Sequence, residues 1–187
     1  MFERFTEAAR QVVKDAVALA ERQRAAAVTN EHLLLSLLER RGTKGAFALT
    51  ALGAHDRRDA LEQALADARR RGGVSRADAD ALAGLGIDVG EIVSRVEQVH
   101  GVGALGGDTR DRRWWSGRRP AFSREAKDTL ERSLRVALGR RERSIGDEHI
   151  LLALTTRPGV VAEVLTEHGV AYDDVTRVLG ADQAQAG

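Results

Sequence analysis

The chain contains itself twice, and that repetition limits its fold more than any other feature. Residues 5–38 (FTEAARQVVKDAVALAERQRAAAVTNEHLLLSLL) lie over 122–155 (FSREAKDTLERSLRVALGRRERSIGDEHILLALT) without a gap, at a constant offset of 117. Matched pairs include Phe5/Phe122, Thr6/Ser123, Ala9/Ala126, Val28/Ile145, Glu31/Glu148, His32/His149 and Leu35/Leu152. Further on the offset slips to 116, where Ala46, Leu49 and Gly53 meet Ala162, Leu165 and Gly169. A second match appears at offset 83, pairing Leu82, Gly86, Ile87 and Ile92 with Leu165, Gly169, Val170 and Val175. The first half thus carries its Leu-x-x-x-Gly unit twice, with some 33 residues (116 less 83) inserted between the copies. Such a unit is one supersecondary block that buries its apolar face against a neighbouring copy.

Each half reads as helices. Thr6 and Ser123 are good N-caps, each followed by an acidic residue and an apolar stripe: Val12, Val13, Ala16, Leu19 and Ala20 in one half, Leu130, Leu134 and Leu138 in the other. Asn30 and Asp147 are again N-cap types, with Glu31 and Glu148 next, where negative charge suits the helix dipole. The helices they open are apolar on more than one face, as buried central helices are. Gly53, Gly86 and Gly169 fit helix C-caps. The expectation is an all-α protein, a pseudo-twofold bundle of two homologous helical repeats with a helical insertion in the first. The first repeat is expected over 1–100, with its insertion at about 54–85. A Gly/Arg/Trp linker follows over 101–121, then the second repeat over 122–180 and a flexible tail over 181–187.

Composition narrows the chemistry. There is no Cys, which excludes a disulfide framework, a thiol nucleophile and a Cys-ligated zinc site. Lys+Arg number 29 against 28 Asp+Glu, a net +1 that excludes the global basic field of a nucleic-acid coat. The opening MFERFTEAARQ lacks the apolar core of a signal peptide, and no window approaches a membrane span, so a cytoplasmic protein is expected. No phosphate-binding G-x-x-x-x-G-K-[ST], no G-x-S-x-G and no H-E-x-x-H occurs, so an enzyme is not expected, nor a cofactor or metal.

Two groups of residues could carry binding. The Glu31-His32 and Glu148-His149 pairs would serve as metal ligands only if both copies converged. The alternative is that the histidines hydrogen-bond to a neighbouring loop. For the glutamates, helix-dipole complementarity is worth about 0.3–1 kcal/mol apiece. A sharper reading sets free N–H groups for an anion beside a carboxylate for a cation, a site for a ligand bearing both charges. The second group is Arg110, Arg112, Arg113, Trp114, Trp115, Arg118 and Arg119. Arginine interleaved with aromatics can grip single-stranded nucleic acid, or the two Trp can pack over the seam between halves. A nucleic-acid-associated regulator is therefore the alternative to a protein-binding module.

The repeated F-[TS]-x-x-A-[RK] start, the E-H-[LI]-L-L helix opening and the later L-x-x-x-G resemble the N-terminal double-repeat domain of Clp unfoldases. MFERFTEAARQVV is most like the ClpC type of actinobacteria. The resemblance covers 1–53, about 82–99 and 121–180. It implies a non-catalytic module that recruits substrates and adaptors to a hexameric ATPase ring feeding a peptidase. With no ATPase segment in the sequence, a free-standing domain is expected. The resemblance also implies two ligand sites. One takes phosphorylated arginine, its phosphate at the central helix starts and its guanidinium on the Glu of T-E-H; here it falls on Asn30, Glu31, Asp147 and Glu148. Asp147 would set a carboxylate beside the phosphate, a cost of roughly 1 kcal/mol or more, so the second copy of this site is expected to be weak. The other takes cyclic-peptide antibiotics that derail Clp proteases, and maps to Phe2, Arg10, Val13, Phe122, Lys127 and Glu131. Expected partners are Clp substrates, adaptors, the unfoldase itself or such cyclic peptides, which the protein could sequester; nucleic acid and membrane are not expected.

Overall fold

The computed structural model describes residues 2–101, 105, 120–156 and 158–185. The Arg/Trp cluster 110–119 lies outside them. Ten α-helices occur among the described residues: α1 Glu7–Arg22, α2 Asn30–Glu39, α3 Lys44–Ala51, α4 Arg58–Arg70, α5 Arg76–Gly84, α6 Val89–His100, α7 Arg124–Gly139, α8 Asp147–Thr155, α9 Val160–Glu167 and α10 Tyr172–Gln185. The all-α bundle of two repeats is therefore what the chain forms, joined by a two-residue strand pair, β1 Ala27–Val28 with β2 Ala121–Phe122.

Local chemistry repeats at the expected offset. Thr6 caps α1 by accepting from the Ala9 N–H at 3.2 Å, and Ser123 caps α7 by accepting from Ala126 at 3.1 Å. Ala9, Val12, Val13, Ala16 and Ala20 bury one face of α1; Ala126, Leu130 and Ala137 do the same for α7. The central helices α2 and α8 are buried all round, pack on each other, and carry Leu33, Leu34, Leu37, Leu38, Ile150, Leu151 and Leu152 into one core. Gly53, Gly86 and Gly169 end α3, α5 and α9 in the left-handed conformation. In each case the next N–H reaches five residues back: Ala54 to Leu49, Ile87 to Leu82 and Val170 to Leu165, at 2.8 to 2.9 Å. That is the Schellman pattern, which only a positive φ at the preceding residue permits.

The two halves exchange their first residues. Phe5 bridges Ile145 in parallel, with the Thr6 N–H donating to the Ile145 carbonyl at 2.9 Å and the Ile145 N–H to the Arg4 carbonyl at 2.8 Å. Its counterpart pairs Phe122 with Val28, and the Ser123 N–H donates to the Val28 carbonyl at 2.9 Å. Each repeat's leading strand therefore pairs with the residue that enters the other repeat's central helix.

The stretch expected as an insertion, about 54–85, holds two different elements. Leu61, Leu65 and Ala68 bury one face of α4. It sits against α9 and α2 as α10 sits against α3 and α8. By contrast α5 buries none of its described side chains and α6 only Val93. The α5–α6 hairpin is tied on by polar contacts, the Ala77 N–H to Glu163 Oε1 at 2.8 Å and Arg70 to Glu97 at 3.6 Å. Its Leu85, Ile87, Ile92 and Val99 are exposed. No helix among the described residues is long and apolar enough to cross a membrane.

One position past the last turn of α7, Arg141 adopts a left-handed φ of 59°, a conformation that favours glycine. Its neighbour Glu142 closes the same Schellman bond to Ala137 at 2.9 Å. Arg141→Gly should stabilise the fold by about 1 kcal/mol, a gain partly offset by the freer unfolded chain. A denaturant midpoint that does not rise in the variant would contradict this.

Candidate functional site

The starts of α2 and α8 were expected to be capped by Asn30 and Asp147. In the structure the caps lie one residue earlier, at Thr29 and Gly146, and Asn30 and Asp147 are the first helical residues. The reason lies in the two histidines. The Thr29 N–H donates to His32 Nδ1 at 3.0 Å, and the Gly146 N–H to His149 Nδ1 at 2.9 Å. Each ring thus turns back on its own helix start, taking the part that Glu or Gln plays in a capping box. An Nδ1 that accepts leaves the proton on Nε2, so both rings are held neutral. Burial lowers the pKa of both, and with the Arg69 charge it brings His32 to about 4.

Around this shared plan the two helix starts differ. At α2 an open groove of about 900 Å³ is lined by Asn30 and Glu31 of the helix start and by Arg69 and Arg70 of α4. Apolar residues such as Leu65, Leu154 and Val161 line the rest. Arg69 Nε lies 3.1 Å from Glu31 Oε2. Burial raises the Glu31 pKa and the Arg69 charge opposes that rise. Asn30 Oδ1 and His32 Nε2 are buried without partners among the described residues.

At α8 the equivalent space is closed by the chain's own acids. Asp147 is 1% exposed and Glu148 6%. Thr43 Oγ1, from the cap of α3, donates to Asp147 Oδ2. A Cβ at Gly45 would stand 2.6 Å from that oxygen, and one at Gly146 would overlap the Glu148 carboxylate. The Cβ at Gly45 would also meet the Asp147 backbone, at 3.2 Å, so close approach requires that glycine, whereas a side chain at Gly146 would displace only the end of the Glu148 side chain. Burial, with the neighbouring Asp147 charge adding to it, pushes the Glu148 pKa up to about 7. Glu142, Glu148 and His149 come within 4.8 Å of one another, a spacing that could hold a cation. Yet His149 Nδ1 is already taken by Gly146, and Glu142 pairs with Arg140 at 3.1 Å.

The other six positions fall on a 3-10 turn at Phe2–Arg4, on β2 and on the first helices α1 and α7. Arg10, on α1, pairs with Glu7 at 3.1 Å. Val13 is buried beneath it, and Phe122 packs half-buried on the core. Lys127 and Glu131 are exposed on α7, and Lys127 is the repeat counterpart of Arg10. The side chain of Phe2 lies outside the described residues. Sequence reasoning missed Arg69, Thr43 and Gly45. Arg69 stands 38 positions from Glu31 (69 less 31) in a run of charge typical of any solvated helix, and carries no signal of its role.

The two buried acids and bases give opposite pH dependences. His32, depressed to about 4, contributes stability above its ordinary value near 6.5 that is lost as pH falls through 4. Glu148, raised to about 7, contributes stability below its ordinary 4.5 that is lost as pH rises through 7. Glu148→Gln should accordingly gain on the wild type as pH increases from 5 to 8. Thermal melts across that range that run parallel for the two proteins would remove Glu148 as the cause.

The sequence pattern of the Clp repeat (R) N-terminal domain family matches residues 4–99 and 121–186. No curated protein sequence matches the chain at a significant level. Among solved structures, the chain is similar to the N-terminal domain of the caseinolytic protease associated chaperone ClpD from Arabidopsis thaliana. The TM-score is 0.51 at 20% identity, over 98% of this chain and 99% of that one, a likeness of fold.

Proposed function

Since the chain belongs to the Clp repeat N-terminal domain family, we propose that it is a non-catalytic binding module that engages substrates or adaptors of Clp proteolysis. The observation that supports this reading is the open groove at the start of α2, lined by Thr29, Asn30, Glu31 and His32 of that start, with the largely buried Glu31 carboxylate on it. A ligand bearing a cation and an anion on one group fits that pairing, the guanidinium on Glu31 and the phosphate at the α2 N–H groups, with Arg70 adding positive charge nearby. Phosphoarginine-marked protein is such a ligand. The second site, at Asp147 and Glu148, is occupied by its own carboxylates and contributes little. Cyclic-peptide antibiotics would take the other surface, built from Phe2, Arg10, Val13, Phe122, Lys127 and Glu131, and sequestration there would lower their free concentration by mass action alone.

Calorimetric titration with a phosphoarginine-bearing peptide tests the groove. One site per chain is expected, lost in Glu31→Ala and kept in Glu148→Gln. Binding that ignores Glu31→Ala sinks the reading. For the antibiotic surface, a labelled cyclic peptide should bind the wild type and fail to bind Phe2→Ala.

A further inference from the structure

We propose that Arg69 is an internal ligand of the groove, its guanidinium occupying the carboxylate that an arginine side chain of a partner segment must take, so that α4 sets the threshold for entry. The inference rests on the groove being the binding site.

The requirement for a cation comes from Glu31. Its side chain is 12% exposed, and a carboxylate so far removed from water is costly unless paired. Burial alone drives it towards the protonated form, and Arg69 opposes this. Beside it, Asn30 Oδ1 is a buried acceptor left without a partner among the described residues. Arg69 approaches through Nε at 3.1 Å and leaves that acceptor unfilled. A guanidinium entering from the groove carries five donors in a planar fork, enough to bond the Glu31 carboxylate twice.

Arg69 can also leave at low cost. It stands in the last turn of α4 with half its side chain, 52%, in solvent. The face that holds α4 to the bundle is Leu61, Leu65 and Ala68, so the arginine can change rotamer without moving the helix. Ion pairs with one partner this exposed contribute little net stability, and exposed side chains change rotamer in picoseconds to nanoseconds. A partner arginine held against the apolar wall of the groove meets Glu31 with less solvent screening than the half-exposed Arg69 does, against its own desolvation cost.

Fluorescence polarisation with a labelled peptide carrying one central arginine, and its citrulline analogue, tests this on the whole chain. Citrulline keeps the shape and removes the charge. Arg69→Ala should bind the arginine peptide at least tenfold more tightly than the wild type and leave the citrulline peptide unchanged. Arg69→Met, which keeps most of the apolar stem, should behave alike, and a single cooperative melt, at a midpoint lowered by the unpaired Glu31, establishes that each variant is folded. Glu31→Gln should abolish the preference for arginine whether or not Arg69 is present. If Arg69→Ala and Arg69→Met bind no better than the wild type while Glu31→Gln still abolishes the preference, Arg69 is not a competitor and the groove remains the site. If no folded protein distinguishes arginine from citrulline, the competition by Arg69 is overturned, and the phosphoarginine titration decides the groove separately.

Discussion

The exchange of leading strands holds the two repeats in one body. Phe5 enters beside Ile145 and Phe122 beside Val28, so each half completes the approach to the other's central helix. A two-residue strand pair has little stability of its own. Here it is anchored on both sides, because the residue after each strand caps a long helix and the residue after its partner leads into a buried one. Phe5 is buried in the same core in which α2 and α8 pack on each other. Neither half can therefore form its own core entry without the other, and the positions of both helix starts follow from that constraint.

Duplicated backbone with unequal side chains accounts for the asymmetry at those starts. The histidine closure is the same in both, to within 0.1 Å in the bonds it makes (3.0 against 2.9 Å). What differs is what comes to lie over it. At α8 the N-terminal turn of α3 brings Thr43 and a side-chain-free Gly45 against Asp147, and Gly146 leaves room for Glu148 to fold back. At α2 the neighbour is the last turn of α4, whose Arg69 reaches Glu31 at 3.1 Å while a groove stays open beside the pair. A carboxylate is retained at both, in one case sealed in and in the other facing an exposed cation.

Much of the fold was legible because the constant offset of 117 ties burial, capping and strand entry in one half to those in the other. Thr6 and Ser123 were recognisable as caps from residue type alone. Asn30 and Asp147 were misplaced by one position because a histidine three residues into the helix accepts the cap N–H, a role usually given to Glu or Gln. The place of α4 in the bundle was hidden, since its buried Leu61 and Leu65 meet the buried Val175 and Leu179 of α10 at an offset of 114, which is none of the three seen elsewhere. Its thin stripe resembled that of a surface helix. At the site, Glu31 and Asn30 could be named from the motif they share with Glu148 and Asp147. Arg69, Thr43 and Gly45 could not, since their roles arise from helices brought together only by packing.

The closed α8 start has a consequence for valency. Two equal seats on one chain would hold a doubly marked partner by both marks at once, and retention would then rise steeply with the number of marks. If the α2 groove is the seat proposed above, Asp147 and Glu148 fill its counterpart and the chain offers a single arm at its helix starts. Occupancy there would follow one-site saturation, and any steeper response would have to come from several chains held side by side.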